Sequence, residues 1–434
     1  MKSLKLGICG LGTVGSGTFN VLRRNVEDIH ARAGIPVEII QVGARRDRDD
    51  CDTTGVTVSR DIFDVANNPD VDVVVEMIGG TTTALDLVML AITNGKHVVT
   101  ANKALIAIHG NDIFAAADQH GVAVLYEAAV AGGIPIIQTM REGLVANRIE
   151  WLAGIINGTG NFILTEMFDK GVDFESVLTQ AQELGYAEAD PTFDVEGIDA
   201  AHKLTILGSL AFGIPLQFDK VYTEGISKIE SQDVAYAGEL GYRIKHLGIA
   251  RKTDAGVELR VHPALVNERR LLGNVDGVMN AVMVQGDAVG PTLYYGAGAG
   301  AEPTASAVIS DIVDLARTLS MAPEFRTGHL GYNASHPNPP QVLDIEDSVS
   351  ASYLRLTVEN HPGALAKITT VMADNGLDIE SLIQKEPAQG QQLVPVILLV
   401  DLAKESVIQQ AIEQVEALEE VQGSVVRIRV ELLQ

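Results

Sequence analysis

The chain has 434 residues, 46% of them hydrophobic, which suggests about two to four domains with substantial cores. Its 57 acidic and 32 basic residues give a formal net charge of -25, which argues against nucleic acid and membrane surfaces as partners because both attract basic patches. The two cysteines, Cys9 and Cys51, exclude a secreted disulfide scaffold, and no apolar run is long enough to span a bilayer, so we expect a cytoplasmic protein with reduced thiols.

The N-terminus carries a glycine-rich turn between a predicted strand, Leu4–Cys9, and a predicted helix that continues through Leu22. In such a turn the first glycine permits the tight bend, the second lets a pyrophosphate approach the backbone, and the third lets helix and strand pack closely. Free N–H groups at the helix start then face the phosphates. An ordinary glycine turn is the alternative, but this context favours a dinucleotide. The predicted cofactor contacts in the turn are Gly10, Gly12, Thr13, Val14 and Gly15.

The end of the next predicted strand, Val37–Ala44, bears on the choice of cofactor. A site that prefers NAD usually places an acid there, on the ribose 2′-hydroxyl. This chain has Arg45 and Arg46 instead, and a guanidinium attracts a 2′-phosphate. The sequence therefore predicts a preference for NADP, while Asp47 directly afterwards leaves NAD possible; a solvated turn is the alternative for the arginines.

Strands and helices then alternate, which indicates a doubly wound parallel sheet of the Rossmann type. The predicted elements are strand Val71–Ile78, helix Thr82–Asn94, and strands His97–Thr100 and Val122–Tyr126. Ligands bind at the carboxyl ends of such strands. Two segments are therefore candidate sites: Thr100–Lys103, which alternatively is a lysine at a loop–helix junction, and Glu127–Ile134, which alone shows only a glycine-rich helix start.

The middle of the chain contains an acid-rich loop that runs from Ala181 to Lys203. A helix is predicted to begin near Asp199, which places Asp199 and Lys203 on one face. A lysine held among acids can bind a zwitterion or move a proton. The alternative is a solvated acidic loop that ends in a weak surface ion pair. Around this loop we predict helices over Pro135–Gly143 and Phe174–Leu184, a strand over Trp151–Ile156, and a mixed or antiparallel sheet between Val221 and Gly298.

The acid-rich loop resembles the signature of homoserine dehydrogenases, and Asn157–Phe162 resembles that family's Asn-Gly-Thr turn. The matching signature positions are Ala181, Gly185, Tyr186, Ala187, Asp190, Pro191, Asp194, Val195, Gly197, Asp199 and Lys203. The resemblance implies reversible oxidation of L-homoserine to L-aspartate 4-semialdehyde with NAD(P). That reaction belongs to threonine, methionine and isoleucine biosynthesis.

The resemblance also implies the roles of individual residues. Substrate would be bound by Glu188 and Asp199, with Asp194 and Tyr186 beside them, because carboxylates are natural partners of the α-ammonium. Lys203 would be the acid/base, chiefly as proton donor in the biosynthetic direction, and Lys103 would be a second catalytic lysine that reaches cofactor and substrate. A base needs a lowered lysine pKa, from a second cation or from burial, whereas the surrounding acids raise it. The division of labour between the two lysines stays open in the sequence.

The same resemblance extends to cofactor and cation. It implies that Lys103, Gly185 and Gly300 lie at the cofactor. It also implies a monovalent cation, usually sodium, in oxygen-only coordination. The implied cation ligands are the Glu127 carboxylate and the backbone carbonyls of Val130, Gly132 and Ile134.

The last fifth of the chain has the order βαββαβ, which is the ferredoxin-like plan. With Glu359–Leu365 and Asn375-Gly376 it resembles an ACT domain, a type that pairs its sheets and binds amino acids. Threonine is the expected inhibitor and a homodimer or homotetramer the expected assembly; a domain used only for assembly is the alternative. Removal of residues after about Gln341 is expected to keep activity and to abolish any response to threonine.

The predicted domain plan has five parts. These are a dinucleotide-binding domain (1–135), an α+β catalytic and dimerisation domain (136–303), a helix that returns to the nucleotide domain (304–332), a proline-containing linker (333–350) and the ACT domain (351–434). Two alternatives to a homoserine dehydrogenase remain at this stage. They are another NAD(P)-dependent dehydrogenase of an amino or hydroxy acid, and a non-catalytic nucleotide-bound amino-acid sensor, which would not need Lys103 and Lys203.

Overall fold

The computed structural model describes residues 3–319, 321–322, 326–332, 339–386 and 392–433. Its N-terminal part is a parallel sheet in the order β3-β2-β1-β4-β5-β6, which is the doubly wound arrangement and confirms the Rossmann-type prediction. The strands are β1 Leu4–Cys9, β2 Val37–Gly43, β3 Thr57–Ser59, β4 Val73–Glu76, β5 His97–Thr100 and β6 Val124–Leu125.

Helices cover both faces of this sheet. The order reversal between β1 and β4 opens a crevice at the carboxyl ends of the strands, where the glycine turn lies. A late helix, α12, returns from the catalytic domain and packs on α1, with Gly17 against the carbonyl of Ala301. The helices are α1 Thr13–Arg24, α2 Val26–Ala33, α3 Phe63–Asn67, α4 Thr83–Thr93, α5 Lys103–His120 and α12 Ala301–Thr318.

The catalytic domain is a mixed sheet with helices on it. The predicted helix Pro135–Gly143 forms only as the short α6, followed by a π-helical turn over Thr139–Gly143. Its strands are β7 Ile149–Ile155, β8 Tyr222–Thr223, β9 Tyr242–Lys252, β10 Val257–Asn267, β11 Met279–Gly286 and β12 Gly290–Ala297. Its helices are α6 Ile136–Gln138, α7 Gly158–Lys170, α8 Phe174–Glu183, α9 Thr192–Val195, α10 Ile198–Phe212 and α11 Ser231–Glu239.

Helix α10 joins the two domains. Gly197, in the left-handed region at φ 81°, precedes it, and every residue from Asp199 to Phe212 is buried. The helix packs against α5 of the nucleotide domain on one side and against β9 and β10 on the other. The start of α5 and the first turns of α10 therefore face each other where the domains meet.

The C-terminal domain has the strand order β16-β13-β15-β14 with two helices, which confirms the ferredoxin-like plan. Its strands are β13 Val349–Glu359, β14 Ile379–Gln384, β15 Leu393–Lys404 and β16 Val426–Glu431. Its helices are α13 Ala364–Asp374 and α14 Glu405–Glu416.

The C-terminal domain is not joined to the rest of the chain by a linker alone, which differs from the expectation of a removable module. Strand β16 pairs in parallel with β10, so that one continuous sheet runs through both domains. Tyr353 and Ile428 share a core with Phe162 of α7. Of the predicted linker, 333–338 lies outside the described residues, while Gln341 and Leu343 hydrogen-bond to the backbone of Val257.

Two expectations from composition can be compared with the structure. Both cysteines are buried and carry free thiols. Within the described parts of the chain, no helix is both long and apolar enough to cross a membrane.

Candidate active site

The glycine turn has the geometry that a dinucleotide requires. Gly10 has a φ of 100°, and the N–H-bearing start of α1 follows at Gly12. A Cβ on Gly15 would lie 2.0 Å from the carbonyl oxygen of Gly10, whereas a Cβ on Gly12 would meet nothing within 4 Å. Gly15 is thus required for packing, and the open space at Gly12 is available to a phosphate. The turn lines a cavity of about 970 Å³.

Arginines line the far side of the same cavity. Arg45 and Arg46 are exposed there, at the position where the sequence predicted a 2′-phosphate site. Two further guanidiniums face the cavity but are held by acids: Arg48 donates to Asp50, and Arg60 donates to Asp47 and to the carbonyl of Ala44. The cavity therefore offers positive charge and a glycine turn to a bound dinucleotide.

A second cavity of about 320 Å³ lies between the nucleotide and catalytic domains. Val14 of the glycine turn, Lys103 at the start of α5 and Phe193 of α9 all line it. Asn102 caps α5 by accepting from Leu105 N, which fixes the position at which Lys103 leaves the backbone. A nicotinamide ring that extends from the first cavity would be held here beside Lys103.

The lysine cluster, formed by Lys103, Asp199 and Lys203, lies at the edge of this second cavity. Asp199 is bridged by both lysines: its Oδ2 is 2.7 Å from Lys203 Nζ, and its Oδ1 is 2.9 Å from Lys103 Nζ. Lys203 also donates to the carbonyl of Ile156 at 2.6 Å. The predicted i,i+4 pair on α10 is therefore present and buried, and the alternative of a surface ion pair is wrong. Lys103 is the member that reaches the cavity, with 35% of its side chain exposed.

Burial and charge set the protonation of the cluster. Burial would raise the pKa of Asp199, but the ammonium groups of Lys203 and Lys103 hold it below its ordinary value. Burial, together with the positive charge of Lys103, lowers the pKa of Lys203 although Asp199 opposes this. For Lys103 the carboxylates of Asp199, Asp194 and Glu188 outweigh burial, so its pKa is raised. The acids thus raise the pKa of both lysines, but they outweigh burial only at Lys103.

The predicted substrate residues lie around this cluster. Asp194 is on α9, and burial raises its pKa above the ordinary value. Glu188 is exposed on the loop before α9. Tyr186 is 43% exposed, its ring lies edge-on to Phe162 at 5.1 Å, and its carbonyl accepts from Thr159. The acids therefore gather near the cavity, with Asp199 enclosed and Glu188 open to solvent.

The predicted cofactor glycines outside the turn are not equally placed. Gly300 has a φ of 117° and precedes α12, whose first residue, Ala301, touches α1. Gly185 is exposed at a φ of 74° before the acid-rich loop. Neither residue is among those that line the two nucleotide cavities.

The segment predicted to hold a cation forms a tight turn. Glu127 is buried, and its two carboxylate oxygens accept from the backbone N–H groups of Ile137 and Gln138. Burial raises the pKa of Glu127 to about 7. Beside it, Ala131 and Gly132 have φ values of 55° and 48°, which turn the carbonyls of this segment. An anionic Glu127 in this buried place would gain from a cation, so the residues suit the predicted ligand set.

Three groups at the site had no assigned role in the sequence-based prediction. Asn157, in the Asn-Gly-Thr turn, donates to two carboxylates. Glu76, buried at the end of β4, accepts from Thr100 and lines the second cavity. Phe193 lines the same cavity and stacks on His202, at a centroid distance of 5.5 Å. Only the Asn157 turn gave a sequence signal; the other two depend on contacts between distant segments.

The chain matches three family models: the NAD binding domain of homoserine dehydrogenase over 10–127, homoserine dehydrogenase over 135–313, and the ACT domain over 352–420. A homoserine dehydrogenase of Pseudomonas aeruginosa is 63% identical over 433 residues, with 100% of each chain covered. One of Neisseria gonorrhoeae is 50% identical, also over 100% of each chain.

The architecture agrees with these matches. The crystal structure of a homoserine dehydrogenase from Thiobacillus denitrificans has 56% sequence identity and a TM-score of 0.95, covering 100% of this chain and 99% of that chain. Together with the nucleotide cleft and the lysine cluster, these similarities show that the chain belongs to the homoserine dehydrogenase family, oxidoreductases that act on a CH–OH group with a nicotinamide cofactor.

Proposed function

We propose that the chain interconverts L-homoserine and L-aspartate 4-semialdehyde in threonine, methionine and isoleucine biosynthesis, that it prefers NADP, and that threonine inhibits it. The observation that carries the catalytic part is the bridge of Asp199 between Lys103 and Lys203 beside the second cavity. A bound nicotinamide supplies the hydride acceptor or donor. The protein has to bind the substrate's charged end and move a proton at its terminal oxygen.

Lys103 is the group that moves this proton. It reaches the cavity, whereas Lys203 is enclosed and already donates to Asp199 and to the carbonyl of Ile156. In the reductive direction a cationic Lys103 protonates the developing alkoxide. Asp199 keeps Lys103 cationic, and Lys203 keeps Asp199 in place. This assigns Lys203 to support and Lys103 to proton transfer.

The acids of the loop bind the α-ammonium of homoserine. Asp194 and Glu188 lie close enough to Lys103 to raise its pKa, so they are near the reacting end of the site. A charge-assisted hydrogen bond to an ammonium suits them. Tyr186, 43% exposed at the start of this loop, is the aromatic side chain proposed to contact the substrate beside these acids.

The preference for NADP is assigned to Arg45 and Arg46. These two exposed arginines line the first cavity, whereas the other two arginines of its lining, Arg48 and Arg60, are already held by acids. Replacement of both Arg45 and Arg46 by Ser should raise KM for NADP roughly tenfold or more, since charged hydrogen bonds are lost, and leave KM for NAD little changed. Arg48→Ser is the control and should have a smaller effect. An equal rise of KM for both cofactors would contradict this assignment.

A sodium ion is proposed at Glu127, with the carbonyls of Val130, Gly132 and Ile134 as its other ligands. The support is the buried carboxylate and the left-handed turn that follows it. The ion would hold this turn against Gly298, whose carbonyl lies close to Gly132. Activity should fall when sodium is replaced by choline and return with added sodium; equal activity in both salts would contradict the site.

Threonine is proposed to bind the ACT domain. A cavity of about 340 Å³ is lined by Glu359–Leu365, the segment that carries the ACT resemblance, and by Gln384 of β14. Its backbone groups and the polar side chains of Asn360 and Gln384 suit the two ends of an amino acid. Assembly as a homodimer or homotetramer through these sheets is part of the same proposal.

The experiment that tests the function is absorbance at the nicotinamide band with L-homoserine, comparing NADP with NAD, with and without threonine. We expect the cofactor to be reduced faster when it is NADP than when it is NAD. We also expect added threonine to slow this reduction. Equal rates with the two cofactors would contradict the NADP preference, and an unchanged rate would contradict threonine inhibition. No reduction with either cofactor, in protein that still binds NADP, would contradict homoserine as the substrate.

A further inference from the structure

One buried amide joins the two carboxylates of the substrate region. Asn157 Nδ2 donates to Asp194 Oδ1 at 2.8 Å and to Asp199 Oδ2 at 2.8 Å. Its Oδ1 accepts from Gly160 N at 2.8 Å, as the N-cap of α7. Since an amide has two N–H donors on nitrogen and only acceptor sites on oxygen, these three partners define which way the amide points. Both N–H donors are thus used on carboxylates.

The amide offsets the repulsion between the two carboxylates. Asp194 and Asp199 come from different helices, α9 and α10, and their negative charges repel each other when they are brought together away from water. A neutral donor between them supplies a hydrogen bond to each without adding a charge. Asn157 is only 6% exposed, so water does not readily take its place.

We infer that Asn157 is a positioning residue, which holds Asp194 and Asp199 side by side so that Asp199 spans both lysines while Asp194 stays available to the substrate ammonium. This inference rests on the function proposed above and deepens it. Asn157 is not among the residues that line the second cavity, and its amide nitrogen is bonded to the two acids, through which it acts.

Other titratable groups also face the pair. Lys103 comes from α5, Lys203 and His202 from α10, and His246 from β9. Burial lowers the pKa of both histidines, so they are neutral near pH 7. Burial raises the pKa of Asp194 and the bond from Asn157 lowers it; the charge of Asp199 raises it further, and the two lysines lower it. Loss of Asn157 should therefore raise the pKa of Asp194.

The test uses two matched asparagines in the complete enzyme. Asn157→Ser keeps an N-cap acceptor for Gly160 N but cannot bridge two carboxylates. Asn161→Ser is the control, because Asn161 is also buried and lies four residues later on α7. Its amide donates to the carbonyls of Val275, Gly277 and Met279 and accepts from Lys245, not from or to the acids of the substrate region. NADP binding, followed by fluorescence, shows that each variant is folded.

The expected result separates the two variants. Asn157→Ser should raise KM for homoserine roughly tenfold at neutral pH, with a smaller change in kcat, because hydrogen bonds to charged groups are lost. In a plot of KM against pH, the rise of KM at low pH (the acid limb) should begin about one pH unit higher. A shift of about one unit corresponds to the same tenfold change. Asn161→Ser should leave both unchanged.

A second readout does not need the substrate. Because Asp194 of Asn157→Ser ionises less readily in the folded state, the loss of melting temperature relative to wild type should be largest near neutral pH. It should shrink as the pH falls and Asp194 becomes protonated in both proteins. The loss in Asn161→Ser should not depend on pH in this way. This comparison remains informative even if homoserine is not the substrate.

Three results would overturn the inference. They are a folded Asn157→Ser with unchanged KM and acid limb, an equal shift of the limb in Asn161→Ser, and failure of Asn157→Ser to fold where Asn161→Ser folds, which would make the role structural. Asn157→Asp, of the same size but with a third carboxylate, should move the limb further in the same direction. Wild-type protein without turnover would contradict the substrate assignment instead.

Discussion

Two buried ionic clusters in this chain are built in opposite senses. In the lysine cluster, one carboxylate lies between two ammonium groups. In the second, which we call the arginine cluster, Arg260 of β10 lies between Glu258 of the same strand and Glu431 of β16; Arg260 Nε is 3.1 Å from Glu258 Oε2, and Nη1 is 2.6 Å from Glu431 Oε1. Arg260 is 1% exposed. Both clusters join segments that are far apart in sequence.

The difference lies in what each cluster borders. Lys103 extends from its cluster to a cavity between domains, so its ammonium can meet a substrate. The arginine cluster is buried where the catalytic sheet continues into the ACT sheet. Its further neighbours are Arg251, 3.5 Å from Glu431, and His262, and none of the three cluster residues lines either nucleotide cavity. Similar ion pairs therefore serve catalysis in the lysine cluster and the joining of two domains in the arginine cluster. Access to a cavity, rather than the presence of an ion pair, distinguishes them.

The largest effect is expected from removal of the ACT domain. Truncation after Gln341 deletes β16, leaves Arg260 without Glu431, and exposes the core that Phe162 shares with Tyr353 and Ile428. We expect little folded protein, judged by circular dichroism and by NADP binding, since buried apolar surface and a buried charge lose their partners. Co-expression of residues 342–434 should restore folding. A stable, fully active truncated enzyme would show that the continuous sheet is dispensable.

Next in size is the loss of the lysine cluster's chemistry. Lys103→Ala should lower kcat roughly 10²- to 10⁴-fold, the contribution of a positioned acid/base group, while NADP still binds. Lys203→Ala should lower turnover by orders of magnitude as well, because Asp199 loses its buried partner. Lys245→Met is the control: this buried lysine pairs with Asp276 away from both nucleotide cavities, so it should lose stability but keep kcat. Unchanged turnover in either alanine variant would remove that lysine from the mechanism.

The arginine cluster should respond in stability instead. Arg260→Met takes the paired cation from the buried Glu258 and leaves Glu431 with the partly exposed Arg251 at 3.5 Å. It should lower the free energy of unfolding by about 3–5 kcal/mol in urea titrations. The folded fraction should keep its wild-type kcat. Adding Glu258→Gln and Glu431→Gln should recover part of the loss, because the unpaired charges are removed. A fall of kcat without a loss of stability would place Arg260 in the active site and erase the contrast.

The smallest effect is expected in the pH dependence of the reaction, which distinguishes the two lysines of the lysine cluster. Because the pKa of Lys103 is raised and that of Lys203 is lowered, reduction that uses cationic Lys103 should persist as pH rises past the ordinary lysine value of about 10.4. The rate of homoserine oxidation, which needs a neutral base, should keep rising with pH over the same range. Lys103→Arg, which cannot lose its proton, should abolish that rise. If the oxidation rate of Lys103→Arg still rises with pH, at a pH below the ordinary lysine pKa, the base would be Lys203.

Local patterns were sufficient for much of the fold. The strand, glycine turn and helix at residues 4–22 follow from chain geometry within a short stretch, and the structure repeats them. The i,i+4 spacing of Asp199 and Lys203 likewise needs only a helix. The helix predicted over Pro135–Gly143 fared less well, since it forms only in part, with a π-helical turn at its end.

Contacts between distant segments were not readable in this way. Asn157, Asp194 and Asp199 converge from a turn and two helices, and Phe193 meets Lys103 across a domain boundary. The sequence presented the ACT region as a removable module because a proline-containing stretch precedes it. It could not show that β16 would pair with β10 or that Arg260 would find Glu431.

The sequence by itself determined the dinucleotide turn, the acid-rich loop with its lysine, and the order of the domains, because each depends on residues near one another in the chain. Only the tertiary structure decided which lysine reaches the cavity, which lysine pKa rises and which falls, and that the two sheets are continuous. The physical reason is that burial and the strength of charge interactions depend on what packs around a group. Those neighbours come from elements far away in sequence.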